Sequence, residues 1–295
     1  MKIKFVQNII DKIRQKDVFE DVSAKQGVNI ILQKELLDFK YIHLPALKKH
    51  GEIFPKYKNV YQGKDIVLVA SGPTVRNYSM IKDAVHIGVN HTYTLEKVLL
   101  DYLFIQDNLK CENMPLMQKN ANLYRGTDCK KFYGYHYISR YSIPEFDAIE
   151  ANAERYYFID QKIPTSDKVF LSADISTRPL NCWASIVFPA IEFALYTHPR
   201  RIYIVGCDCS ANGHLVWTNK SAFCSDMEII KYGWKKIKEY RDSKYPDIEI
   251  ISVNPVGLKG LFTDVYTKSY VDEHPELLKE NVKIMDNEYI YNAEQ

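Results

Sequence analysis

Between Lys64 and Val253 the chain repeatedly returns to one texture, a short unbroken apolar run that ends in small or polar residues. The first is Asp65-Ile66-Val67-Leu68-Val69-Ala70, which meets Ser71-Gly72-Pro73-Thr74. Runs of this length without polar alternation belong to strands buried on both faces of a parallel sheet. Val85-His86-Ile87-Gly88-Val89-Asn90 and Tyr102-Leu103-Phe104-Ile105-Gln106-Asp107 follow at βαβ spacing. The polar stretch after Pro73 predicts a helix through about Lys82, and Leu95 to Leu100 predicts another. Further on, an apolar helix is predicted from Asn181 to about Tyr196, stopped by His198-Pro199. A strand at Arg201 to Asp208, a charged amphipathic helix from about Asp226 to Arg241 and a strand at Ile248 to Val253 complete the pattern.

Alternating strands and helices predict an α/β fold, Rossmann-like and doubly wound, with a mainly parallel sheet. Right-handed crossovers put every strand's carboxyl end on one edge, where open α/β sheets bind ligands. That edge would gather Ser71, Asn90 and Asp107. Residues 1–60 read as a lysine-rich helical extension, 61–258 as the Rossmann-like domain and 259–295 as a tail packing on it. Residues 110–175 alternate polar turns with aromatics (Phe132, Tyr133, Tyr135, Tyr137, Tyr141, Tyr156, Tyr157) and read as a lid on the acceptor side.

Composition narrows the classes. With 295 residues, 46% hydrophobic and 26% charged, the chain is an ordinary globular protein. A net charge of +2 gives no global drive toward nucleic acid. Six cysteines lack a second close pair beside Cys207 and Cys209, so they read as reduced thiols rather than a zinc site. The first residues, with Phe5, Ile9, Ile10 and Ile13 among lysines, form neither a signal peptide nor a spanning segment. They read as a basic amphipathic helix that packs on its own domain or, as the lesser alternative, rests on an anionic membrane. The expected location is cytoplasmic, with peripheral membrane attachment as the variant.

Several residues could carry chemistry. Gly72 lets a ligand approach the turn after the first strand, and a helix start beyond it favours an anion. Neither a Walker loop nor a dinucleotide fingerprint is present. Asn90 can read a base or ribose through its amide, or cap a turn, and Asp107 can bind ribose or a metal, or cap a helix. Gly206-Cys207-Asp208-Cys209-Ser210 is followed by His214, a candidate general base that a carboxylate could orient, or else an exposed loop histidine. Ser176, Thr177, Arg178 and Asn181 suggest a phosphate clamp at a helix start, or simple capping. No Asp-x-Asp pair occurs, so a metal-diphosphate arrangement is not expected.

Leu68-Val69-Ala70-Ser71-Gly72-Pro73-Thr74 with Gly88-Val89-Asn90 resembles the opening of bacterial sialyltransferases that modify lipooligosaccharide. Phe188 to Tyr196 followed by Ile202 to Asp208 is similar to their Ala-rich helix and Gly-x-Asp strand end. Related skeletons occur in other bacterial polysaccharide enzymes and in archaeal pterin pyrophosphokinase-like proteins. The resemblance covers about 64–110 and 174–255. It implies a single-domain variant of the GT-A type that takes an acidic sugar (sialic acid, Kdo or a related nonulosonate) from a CMP donor to a glycan or glycolipid acceptor without metal. Gly72, Pro73 and Thr74 would lie along the ribose-phosphate, and Asn90 would contact the nucleotide. Gly206, Cys207 and Asp208 would flank it, with Ser176 to Asn181 facing the phosphate. Arg178 would stabilise the leaving group, and tyrosines of 132–157 would pack on sugars. Ser71 stands where the family has asparagine, and no histidine precedes the helix near Asp226, so His214 takes the place of the family's catalytic base. A magnesium-dependent ATP pyrophosphokinase-like enzyme and a non-catalytic nucleotide-binding subunit are the competing readings, and a homo-oligomer is open under all three.

Overall fold

The computed structural model describes residues 33–106, 128–136, 153–160, 172–210, 227–286 and 288–289. Its centre is a nine-stranded, all-parallel sheet. Strands β1 (Asp65–Val69), β3 (Val85–Val89), β4 (Tyr102–Ile105), β8 (Arg201–Val205) and β9 (Glu249–Val253) lie where the apolar runs predicted them. Four more complete the sheet: β5 (Lys130–Tyr135), β6 (Ala153–Asp160), β7 (Leu180–Cys182) and β10 (Thr263–Val265). Two-residue strands β2 (Met80–Ile81) and β11 (Glu288–Tyr289) pair antiparallel apart from it.

Within the expected lid, the described residues 128–136 and 153–160 carry strands, and most of the remainder lies outside the described residues. β5 and β6 belong to the central sheet, with Phe132 and Tyr156 fully buried and Tyr133 nearly so. Phe132 stacks on Phe104 with ring centroids 4.7 Å apart and meets Phe193 at 5.1 Å. These rings are core, held by dispersion and ring geometry, and are closed to a sugar. Tyr137 and Tyr141 lie outside the described residues.

Strand order is β10-β9-β8-β1-β3-β4-β5-β6-β7. From β1 the chain steps one way through β7, then returns beside β1 at β8 and steps the other way. Side chains alternate along each strand, so Ile66 and Leu68 enter one core, Val67 and Val69 the other. The first core is closed by α1 (Leu44–Ile53), α2 (Val187–Tyr196) and α3 (Met227–Lys244). Every residue of α2 is buried, nine of them apolar or aromatic and the tenth Glu192. The opposite face is covered by the β1–β3 and β3–β4 connections, through Val75, Tyr78, Tyr93, Val98 and Leu100.

Those connections are not the predicted helices. After Pro73 a 3₁₀ turn (Pro73–Asn77) ends at Tyr78, whose hydroxyl accepts from Ile81 N and meets His86 Nε2 at 2.9 Å. Asn90–Thr94 is another 3₁₀ turn, and Leu95 to Leu100 continues as a turn with Val98 N donating to Leu95 O. Six residues are too few to offset helix nucleation, and burial of Val98 and Leu100 decides the path instead. The predicted helix from Asn181 likewise starts only at Val187, because Leu180–Cys182 pairs with β6 as an edge strand.

The described part of the N-terminal region is integral to the domain. α1 sets Ile53 and Phe54 into the main core, and His50 pins it to two further segments. His50 Nδ1 lies 2.7 Å from Arg178 O and 3.2 Å from Ile175 O, while Tyr157 N donates to Nε2 at 2.9 Å. Only the neutral imidazole with its proton on Nδ1 satisfies this set. The expected C-terminal tail is structural too, since β10 lies in the main sheet and α4 (Lys268–Glu273) follows it. Among the described residues no helix is long and apolar enough to cross a membrane.

Burial lowers the His50 pKa from 6.5 to about 4. The folded state refuses a proton that the unfolded chain accepts, so this contribution is present above pH 6.5 and is lost as pH falls toward 4. Its size is about 3 kcal/mol by linkage. Urea midpoints measured from pH 7 to 4 should fall accordingly, and His50→Gln, which can keep a donor and an acceptor without titrating, should flatten that slope. A His50→Gln profile that tracks the wild type removes His50 as the cause.

Candidate functional site

The reversal of winding falls between β1 and β8, and this is where an open α/β sheet leaves a crevice at its carboxyl edge. Two loops leave the sheet there side by side. Ala70 N donates to Val205 O at 2.8 Å and Gly72 N to Gly206 O at 2.7 Å, extending the pairing past both strands. Gly206 then turns with φ +66°, a conformation that disfavours a side chain. A Cβ on Gly72 would lie 2.4 Å from Gly206 O and 2.6 Å from Asp208 Cγ, so the loops approach too closely for any other residue.

Asp208 closes the clasp. Its Oδ2 accepts from Thr74 N at 3.0 Å, and its Oδ1 accepts from the Thr74 hydroxyl. Gly257 N donates to Asp208 O at 2.7 Å, bringing in the loop after β9. Burial pushes the Asp208 carboxyl up, against the two Thr74 hydrogen bonds that hold it down. Both oxygens are engaged by Thr74, so Asp208 holds the two loops together. Burial also raises the Cys207 thiol well above its ordinary range and Cys209 to about 12, which leaves neither thiol nucleophilic near neutral pH. Cys207 and Cys209 carry free thiols.

The backbone donors from Gly72 to Val75 are spent within the protein rather than left for an anion. Gly72 N and Thr74 N are committed to Gly206 and Asp208, Val75 N donates to Gly72 O, and Pro73 has no N–H. Asn90 also reaches this edge, in the left-handed region at φ +44°, and its Oδ1 accepts from Gln106 N at 3.0 Å. Its NH₂ is the part left to address a ligand.

The expected phosphate clamp is not assembled here. Asp174 caps the 3₁₀ turn Ile175–Thr177, accepting from Ser176 N at 3.0 Å and from Ser176 Oγ at 2.5 Å. It also accepts from Tyr196 OH at the end of α2, which places Ser176 and Thr177 at the amino end of the sheet. Arg178 is buried and donates to Glu192 Oε2 at 2.6 Å, while Asn181 N and Nδ2 donate to Glu192 Oε1 at 3.1 and 2.7 Å. Glu192 lies in the middle of α2, beneath the sheet, so Arg178 and Asn181 neutralise a buried carboxylate and do not face a ligand. Burial works against the Arg178 cation, but the Glu192 charge prevails and its pKa is raised. Asp107 and His214 lie outside the described residues.

Two features of the edge were not anticipated. Ser269 Oγ in α4 donates to Asn77 O at 2.9 Å, docking α4 on the Pro73–Asn77 turn. The Tyr270 phenol of the same helix is raised by burial and then by the charge of Asp208, and its half-buried ring packs on Tyr266 and, at 4.3 Å, on His274. Asn254, ending β9 at φ +50°, fixes the start of α4 through Thr267, with bonds of 2.9 and 3.0 Å. Arg76 is exposed on the same 3₁₀ turn and makes no ion pair among the described residues. Arg76, two residues after Gly72-Pro73-Thr74, could have been read from the sequence, whereas nothing local marks Tyr270.

Among the described residues no three His, Cys, Asp or Glu side chains converge as a metal site. Comparison with family models, with curated proteins and with solved structures gives no match.

Removing Arg178 tests its role. Arg178→Met leaves Glu192 buried without its cation and should cost about 3–5 kcal/mol of stability, read as a lower denaturant midpoint. Arg178→Met with Glu192→Leu should recover much of that loss. A singly substituted protein of wild-type stability contradicts the structural assignment.

Proposed function

We propose that this chain is a glycosyltransferase that moves an acidic sugar (sialic acid, Kdo or a related nonulosonate) from a CMP-activated donor to a glycan or glycolipid acceptor of a bacterial surface polymer. The observation that carries the reading is the Thr74–Asp208 clasp. It brings the Ser71-Gly72-Pro73-Thr74 turn against the Gly206-Cys207-Asp208 strand end at the winding reversal. These are the two segments whose sequences resemble the sialyltransferase pattern, and they meet at the edge where such a sheet binds nucleotides.

In this reading the donor lies across the β1–β8 crevice with its ribose against Gly72 to Thr74. Negative charge on the phosphate is met by Arg76 and the Asn90 NH₂, since the turn's own N–H groups are occupied. Tyr270, whose ring packs on Tyr266 and His274, offers the exposed remainder of that ring to the cytosine. The reaction is a displacement. His214, in the segment after Asp208, takes the acceptor hydroxyl's proton, and the oxygen bonds to the anomeric carbon. The bond from that carbon to the phosphate oxygen breaks, and CMP leaves with the electron pair. No metal takes part.

A thermal-shift panel tests the donor class. CMP or CDP without metal should raise the melting temperature, by about 2.7 kcal/mol of stability at a hundredfold excess over Kd. Stabilisation by ATP with magnesium and not by CMP overturns the reading in favour of diphosphoryl transfer. Slow release of CMP from a CMP-sugar separates an enzyme from a binding subunit.

Tyr270→Ala tests the base contact. Loss of one stacked base is worth about 1–3 kcal/mol, so CMP affinity by calorimetry should fall on the order of tenfold or more. Ribose-5-phosphate binding should change little. Equal loss for both ligands would place Tyr270 away from the base.

A further inference from the structure

The helix that leads into the domain has two faces of opposite character. Asp38, Ile42, Ala46 and His50, four residues apart, are buried against β6 and the Ile175–Thr177 turn. On the other side Leu36, Phe39, Leu44 and Leu47 are 67, 53, 48 and 54 % exposed. The step from Phe39 to Leu44 is five residues, which would rotate off a stripe in a regular α-helix. Here Phe39–His43 is π-helical and Leu44 N donates to Phe39 O, so the two side chains stand one wide turn apart. Pro45, at the start of α1, has no N–H to give the preceding turn, and the wider turn accommodates it. The result is one continuous apolar stripe.

Lys40 and Lys48 are exposed one residue beyond Phe39 and Leu47, and neither makes an ion pair among the described residues. Lys34 and Lys49 are held by Asp38 and Glu52, which leaves Glu35 as the exposed acid nearby. Residues 33–58 carry six lysines against three acidic side chains. An apolar stripe bordered by unpaired lysines fits an interface where acyl chains lie beneath anionic headgroups.

We propose that the face formed by Leu36, Phe39, Leu44 and Leu47, with Lys40 and Lys48, docks the protein on an anionic lipid surface. Phe39, Leu44 and Leu47 enter the boundary between headgroups and acyl chains, while the two lysines meet lipid phosphates. A second copy of the chain could also cover an apolar stripe, but a stripe bordered by lysines would set cations against cations in a symmetric pairing. This inference is independent of the proposed reaction, because docking needs no nucleotide.

The test is co-sedimentation of the full chain with phosphatidylcholine vesicles and with vesicles enriched in phosphatidylglycerol. Binding should be strong only to the anionic vesicles and should weaken with salt. Lys40→Gln with Lys48→Gln should lower that binding by about fivefold per lysine. Phe39→Ser with Leu44→Ser should lower it on both vesicle types, and thermal unfolding should stay unchanged because both side chains are exposed. Vesicle binding that survives both double variants overturns the proposal and moves the contact elsewhere, for instance to residues 1–32. Binding blind to lipid charge overturns it as well. So does a concentration-dependent dimer, seen by light scattering, that Phe39→Ser with Leu44→Ser abolishes while vesicle binding persists.

Discussion

Parallel pairing of β1 with β8 is the contact on which the rest of the molecule hangs. The two strands are distant in sequence and adjacent in space, in register from Asp65 opposite Arg201 to Val69 opposite Val205. Each end is fastened by a carboxylate. At the amino end Asp65 accepts from both Arg200 and Arg201, with Arg201 Nη2 at 2.6 Å, and at the carboxyl end Asp208 holds Thr74. Parallel strands cannot close through a short turn, so the chain between them makes the long excursion through β3 to β7. Closing a longer loop adds entropy cost only slowly, whereas full burial of Ile66, Val67, Leu68 and Val69 on both faces is gained at once. The crevice is the by-product of that closure.

The N-terminal helix is joined to the sheet by polar groups rather than by apolar area alone. His50 touches the backbone of Arg178, Arg178 neutralises Glu192, and Glu192 holds Asn181 at the start of β7. α1, the last strand of the sheet and α2 are therefore one network, and removing any member leaves a buried polar group unanswered. The arrangement also explains why serine, threonine, arginine and asparagine in 176–181 carry the composition of an anion site. Capping, ion pairing and interior hydrogen bonding draw on the same residue types as phosphate binding, and only the position of Glu192 tells them apart.

That ambiguity marks the boundary of what the chain reveals by itself. β1, β3, β4, β8 and β9 were legible because strands buried on both faces are uninterrupted apolar runs. β5 and β6 were not, because Lys130, Lys131, Glu154 and Arg155 break the run. Lys131 is nonetheless buried, and Glu154 reaches out to Lys56 and Lys130. β7 has three residues and no period to read. Of the candidate site, the Ser71 turn and the Asp208 strand end were legible from their place after strands. Tyr270 was not, since its place at this edge depends on Asn254, Thr267 and Ser269 docking α4 on a distant turn.

The clasp also constrains what the edge can bind. In nucleotide loops that grip phosphate through backbone amides, the donors point outward. Here Gly72, Thr74 and Val75 give theirs to Gly206, Asp208 and Gly72, so the turn is rigid but supplies few donors of its own. A carboxylate is buried a few ångströms below it, which would repel a phosphate placed directly over Thr74. The turn therefore suits a neutral, hydroxyl-bearing portion of a ligand, such as a ribose. Charge is better received at Arg76 and the Asn90 NH₂, on the two connections that flank the turn. The CMP donor proposed above has that division, a neutral ribose with its charges on the phosphodiester and on the sugar's carboxylate.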